Sequence, residues 1–169
     1  MKIKVNELDH PDVTHLLQEH LADMNATSPP ESVHALDTSA LKAPDVTFWT
    51  GWKAGQLLGC IAIKQLSESH AELKSMRTTP SVRNQGVASA LLQYAIEQAK
   101  LSGYQRISLE TGSMSFFKPA RELYKKFDFE YCLPFADYQP DPNSHFMTLD
   151  LNEYTPKSAQ QLVISSASE

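Results

Sequence analysis

Apolar residues at 87, 88, 91, 92, 95, 96 and 99 make the clearest helical stripe in the chain. That stripe begins one short loop after a strand-like run, Ala71 to Thr78. A stripe of this width buries one face of a helix. Gly103 supplies the helix stop, and Arg106 to Thr111 reads as the next strand. The segment is therefore a strand–helix–strand crossover. Its helix starts at the C-terminal end of a strand, which is where open α/β sheets bind ligands.

The remaining elements arrange themselves around this unit. Lys2 to Asn6 alternates as a first strand. Val13, Leu16, Leu17, His20, Leu21 and Met24 recur at helical spacing and predict an amphipathic helix over 12–25, with Asp12 as its N-cap. Ser28-Pro29-Pro30-Glu31 breaks the chain, because proline fixes φ and disfavours helix in the residue before it. Glu31 to Ala43 then holds one or two short helical turns before Pro44. Val46 to Trp52 and Leu57 to Leu66, joined by Lys53-Ala54-Gly55-Gln56, read as a hairpin, with 71–78 as its third strand. Pro119 to Phe127 is a further helix with Pro near its first turn. Phe129 to Leu133 and His145 to Leu151 close the sheet across a Pro/Asp-rich loop. The expected fold class is α/β, a mixed and mostly antiparallel sheet flanked by helices with the crossover at its centre. One domain over residues 1–152 is expected, then a polar tail over 153–169 in which Leu162-Val163-Ile164 is able to dock.

A length of 169 residues suits a single domain. The net charge of −5 argues against a nucleic-acid partner and mildly favours a cationic substrate. No apolar run approaches the ~20 residues of a membrane span. Met1 to Asp9 lacks the apolar core of a signal peptide, so a cytoplasmic protein without a membrane partner is expected. Cys60 and Cys132 stand alone in apolar stretches and read as small buried hydrophobes. There is no CxxC or HExxH spacing and the His residues are scattered, so no metal is expected.

The loop before the best helix carries Arg83-Asn84-Gln85-Gly86-Val87-Ala88-Ser89. Gly86 lets backbone approach a ligand without a Cβ in the way, and Ala88 and Ser89 keep the first turn slim. Free N–H groups at a helix start form an anion site suited to a pyrophosphate. The Arg83 guanidinium either adds to that site or is solvated. The pattern is neither a Walker loop nor a GxGxxG fingerprint.

Arg83-x-x-Gly86-x-Ala88 after the strand, together with the later run Ala120-Arg121-Glu122-Leu123-Tyr124-Lys125-Lys126-Phe127-Asp128-Phe129, resembles the GNAT superfamily of N-acetyltransferases over residues 2 to 151. The segments SPPESVHALD, FWTGW, KSMRT, LETGSM and PFADY, at 28–37, 48–52, 74–78, 109–114 and 134–138, are similar to those of a bacterial acetyltransferase subgroup. The resemblance implies acetyl-CoA as co-substrate. Met76, Arg77 and Thr78 would lie along its pantetheine arm through main-chain groups, and 83–89 would hold its pyrophosphate. Tyr124 would be the general acid that reprotonates the thiolate; a Tyr at helical spacing from Ala120 and Phe127 is equally a core residue. Glu72 and Glu110, both on strands beside the cleft, are the candidate bases, with Glu72 ranked first and an ordered water as the third option. Glu31 and His34 after the first helix, and Tyr138, Asp141 and Asn143 in the second loop, would build the acceptor pocket. The superfamily usually has Gly where Asp128 stands, which requires of Asp128 a left-handed backbone or a different turn.

The resulting reading is an acetyltransferase moving acetyl to a primary amine of a small molecule or peptide by direct attack, with no acyl-enzyme. A non-catalytic acyl-CoA sensor, or transfer of another acyl group such as succinyl, is the alternative. Pairing or exchange of the closing strands would give a homodimer.

Overall fold

The computed structural model describes residues 1–155. Seven strands, β1 (Lys2–Val5), β2 (Val46–Lys53), β3 (Gln56–Gln65), β4 (His70–Thr78), β5 (Arg106–Gly112), β6 (Glu130–Cys132) and β7 (Ser144–Asp150), form one sheet in the order β1-β2-β3-β4-β5-β7-β6. Every pairing is antiparallel except β4 with β5. The helices are α1 (Pro11–Thr27), α2 (Thr38–Leu41), α3 (Val87–Leu101) and α4 (Lys118–Lys126). The expected α/β class, with its central crossover β4–α3–β5, is the observed one.

Strand alternation sends apolar residues to two cores. Ile61, Ile63, Leu73, Ile107, Leu109 and Met147 bury against α3 through Leu91, Leu92, Ala95 and Ile96. Phe48, Trp52, Cys60 and Ala62 point the other way and meet Val13, Leu16 and Leu17 of α1 and Leu41 of α2.

Three local expectations need correction. The N-cap of α1 is His10, two residues ahead of Asp12, and its Nδ1 accepts from the Asp12 N–H at 3.1 Å; Pro11 takes the first helical position. Cys132 is half-buried on the edge strand β6 rather than inside the core, while Cys60 is fully buried. The turns between 31 and 43 begin one residue earlier, as a 3-10 turn over Pro30–Ser32, followed by α2. Most of the tail 153–169, including Leu162-Val163-Ile164, lies outside the described residues.

Candidate active site

Strand β4 is in register with β5 only at His70–Arg106, Ala71–Ile107 and Glu72–Ser108. Beyond Glu72 the two strands part. A bulge drives the separation: Ser75 has φ 55, and the β3–β4 register shifts between Cys60 and Ala62. The Cys60 thiol donates to the Ser75 carbonyl at 3.2 Å and fixes the bulge from behind. Gly59 makes room for it, since a Cβ there would meet the Arg77 carbonyl at 2.6 Å. The edge of β4 from Leu73 to Thr78 therefore faces an open cleft.

At the end of that edge the chain makes a 3-10 turn over Pro80–Val82, passes Asn84 at φ 64 and Gly86 at φ 80, and enters α3. Gly86 is the N-cap and offers no side chain. Its carbonyl takes the first helical bond, from the Ala90 N–H at 3.0 Å, so the N–H groups of Val87, Ala88 and Ser89 have no helical acceptor. Arg83, Asn84, Gln85 and Gly86 are all exposed. An uncapped, solvent-facing helix start is what a diphosphate group requires.

For Arg77, as for Met76 and Thr78, the expected contact is through the main chain. Arg77 turns its side chain away from the cleft, where Nη1 donates to Asp23 Oδ2 at 2.7 Å and Nη2 lies 3.7 Å from Glu19 Oε2, both on α1. Only its main chain remains for a ligand. Met76 lines the cleft, and Thr78 ends its open edge.

An inner cavity of about 110 Å³ opens between the parted strands, lined among others by His20, Met76, Glu110, Phe117 and Tyr124. Burial pushes the Glu110 carboxyl up to about 7; Lys74 pulls it back, while the Glu72 charge adds to the rise. Among the described residues its one side-chain partner is the Ser144 hydroxyl, at a long 3.5 Å. Tyr124 is buried, and burial together with the Glu110 charge raises its phenol above the ordinary range, so it stays protonated. Its hydroxyl has no hydrogen-bond partner among the described residues. Burial, and then the Arg77 charge, push His20 down to about 4 and leave it neutral near pH 7.

The two carboxylates have unlike surroundings. Glu72 Oε2 accepts from Lys74 Nζ at 3.2 Å and from the Tyr138 hydroxyl, and Lys74 Nζ also donates to that hydroxyl at 3.0 Å. Glu110, by contrast, has a raised value and a single loose partner among the described residues.

A second, outer cavity of about 620 Å³ adjoins the first and is lined by Glu31, His34, Tyr138, Asp141 and Asn143. The two loops singled out by the sequence do meet. Ser32 Oγ donates to Asp141 Oδ2 at 2.6 Å, and the His34 and Tyr138 rings stand edge to face at 5.0 Å. The Ser32 hydroxyl and the Asn143 N–H hold the Asp141 carboxyl below the usual range. His34, Glu72, Lys74 and Tyr138 belong to both cavities and form the throat between them.

Sequence reasoning missed Lys74, His20 and Ser32. For Lys74 a signal existed, since residues two apart on a strand share a face and Glu72 was already marked. Nothing in the sequence marked Ser32, whose partner lies far along the chain.

A sheet that parts between two parallel strands, with an uncapped helix start at one end and a titratable cavity inside, is an arrangement with room for an elongated anionic ligand across the sheet. The chain belongs to the acetyltransferase (GNAT) family, whose model matches residues 13–129. It is 52% identical over 151 residues to an uncharacterized N-acetyltransferase, YsnE, of Bacillus subtilis (strain 168), covering 89% of this chain and 100% of that protein. It is 46% identical over 151 residues to the uncharacterized N-acetyltransferase YedL of Escherichia coli (strain K12), covering 89% of this chain and 95% of that one. The fold is also that of a Bacillus subtilis acetyltransferase crystallised in complex with CoA, with a TM-score of 0.66 at 18% identity over 88% of this chain and 97% of that chain. Acetyl transfer is thus the family's chemistry. Among the described residues no group of three or more His, Cys, Asp or Glu is placed to hold a metal ion, and no helix is long and apolar enough to cross a membrane.

Proposed function

We propose that this chain transfers an acetyl group from acetyl-CoA to a primary amine by direct attack, with Glu110 as the base and Tyr124 as the acid. The observation that carries the reading is the inner cavity, in which a carboxyl poised near pH 7 and a buried, protonated phenol line one small space beside the open β4 edge. Bound acetyl-CoA would supply an activated acyl group on a thiolate leaving group of pKa about 8.5. The Val87, Ala88 and Ser89 N–H groups would hold its diphosphate, with Arg83 at the rim. Main-chain groups from Met76 to Thr78 would line its arm and polarise its carbonyl. Glu110 would take a proton from the acceptor's ammonium and so free the amine to attack; as the C–S bond breaks, the Tyr124 hydroxyl would give its proton to the departing sulfur, and the proton then shed by the acylated nitrogen would restore the phenol.

The thiols support attack without an acyl-enzyme. Cys60 is fully buried, with its thiol pushed up to about 12, and Cys132 lies on the edge strand. Neither lines the cavities. A thiol so protonated is a poor nucleophile. Two unpaired thiols also suit a reducing compartment, which supports a cytoplasmic location.

The test is release of the CoA thiol from acetyl-CoA against a panel of amines. Turnover above hydrolysis is expected with at least one amine, and Tyr124→Phe should lower it by ~100-fold while calorimetric CoA affinity persists. Affinity for CoA with no turnover on any amine would favour a sensor instead.

A further inference from the structure

The throat and floor of the outer cavity bear on what kind of amine enters. Lys64 on β3, and Glu72 and Lys74 on β4, face the same side of the sheet; Lys64 stands opposite Glu72 and Lys74 opposite Ala62. All three line the outer cavity. Lys74 is nine-tenths buried, with 10% of its side chain exposed. It spends two of its three N–H bonds on Glu72 and Tyr138, and the third is left for a ligand. Lys64 is half-buried, and its ammonium has no ion pair or hydrogen bond among the described residues. Glu72 answers one of these two ammonium groups. The floor therefore keeps one positive charge in excess, close to where an acceptor must pass to reach Glu110.

The opposing charges are at the rim. Glu31 and Asp137 are exposed, so water and salt screen them. Asp141 keeps its charge, but its two oxygens are turned to the Ser32 hydroxyl and the Asn143 N–H. Charge in the protected floor counts for more than charge at the rim. The whole-chain charge of −5, which by itself favours a cationic acceptor, is a long-range bias that the local floor overrides.

We infer that the acceptor is an amino acid, an amine that also carries a carboxylate: its nitrogen lies at Glu110 in the inner cavity, and its carboxylate lies across the throat on Lys74 and Lys64. Lys64 is then a specificity-determining residue. This inference rests on the transfer reading above and deepens it. Lys74 holds a carboxylate close to the nitrogen, and Lys64, one strand further from Glu110, reaches a more distant one. A polycation meets two ammonium groups on the same path and is rejected.

Matched pairs test this directly. Thiol release is measured with 4-aminobutyrate against butylamine, with L-leucine against isoamylamine, and with L-glutamate and spermidine. In parallel, calorimetry follows 4-aminobutyrate binding to the CoA-loaded protein without turnover. A charge-assisted pair predicts a kcat/KM at least ~10-fold higher for the carboxylate-bearing member of each pair, expressed chiefly in KM. Lys64→Glu should collapse the 4-aminobutyrate/butylamine ratio and remove the calorimetric signal; Lys64→Gln, a milder change, should move the ratio part of the way. Equal use of both members, a preference for spermidine, or a ratio indifferent to both Lys64 variants would overturn the inference and leave acetyl transfer standing. If no compound released thiol yet 4-aminobutyrate bound in a Lys64-dependent way, transfer would fall and the carboxylate site would hold. Neither release nor binding would sink both.

Discussion

Beneath α3 the sheet presents Ile61, Ile63, Leu73, Ile107 and Leu109, all buried and apolar. One residue along the same three strands, the opposite face presents Lys64, Glu72, Lys74, Ser108 and Glu110. The two faces share strands, twist and register, and differ only in what covers them. A helix with a continuous stripe covers the first, and burial of apolar area there stabilises the fold at roughly 25 cal/mol per Å². The loops 28–37 and 134–143 lie over the second, bringing polar groups that leave two cavities between them. A face can be given over to chemistry when its reverse is packed well enough to hold the strands in place.

If that division is right, changes on one face should move kinetics and changes on the other should move stability. The largest effect is expected at Glu110. Glu110→Gln should lower kcat/KM for thiol release by ~10²- to 10⁴-fold. The wild type should gain activity as pH rises through about 7, the value to which burial lifts this carboxyl. The variant should lose that limb. A pH profile that is unchanged in the variant would remove Glu110 from the role of base.

The same group makes a thermodynamic prediction of defined sign. Its folded value, about 7, lies above the ordinary 4.5, so the folded protein holds a proton that the unfolded chain releases. The stability this proton contributes is complete below the unfolded value and is lost as pH rises through about 7. Urea midpoints of wild type and Glu110→Gln should therefore move apart in the variant's favour between pH 5 and pH 8. Midpoints that stay parallel would mean the carboxyl is better solvated than its burial implies.

On the packed face, Leu92→Ala should cost about 2–5 kcal/mol, because Leu92 is fully buried under the sheet and its site cannot collapse. Turnover per folded molecule should survive, since Leu92 itself lines neither cavity. A large fall in kcat at preserved stability would show that the faces are coupled.

The same contrast explains what could be read from the sequence. α3 spans Val87–Leu101, the limits its stripe predicts, because a single helix against a sheet needs only local periodicity. The loop 83–89 was equally legible, since a helix start with a glycine before it carries its own chemistry. The cavity-bearing face was legible in its members but not in their pairings. Glu72 and Glu110 are alike as strand carboxylates; they differ because Tyr138, from a loop after the last helix, closes on Glu72 and leaves Glu110 with the long Ser144 contact. The fate of Arg77 was hidden for the same reason, since Asp23 and Glu19 are presented by α1. Pairings between distant segments are properties of the fold, and no window of sequence contains both partners.

The smallest expected effect sharpens the comparison at the turn after α4. Asp128 has φ 69, and around it the Asp128 N–H bonds the Lys125 carbonyl at 3.0 Å and the Phe129 N–H bonds that of Tyr124 at 3.1 Å. A left-handed residue is needed here so that Phe129 can turn back into the core against the Tyr124 ring, at 5.7 Å. An L side chain in that region costs up to about 1–2 kcal/mol, less for Asp, and glycine escapes the cost while giving back part of it as greater freedom when unfolded. Asp128→Gly should therefore raise stability by about 0.5 kcal/mol, read as a small upward shift of the urea midpoint. The acid limb of the pH profile should keep its place, because the relief is confined to the backbone behind the packed face. A lowered midpoint would mean that the Asp128 carboxylate contributes more to this turn than its backbone angle costs. A shifted acid limb would mean that the turn, through Tyr124, reaches the chemistry after all.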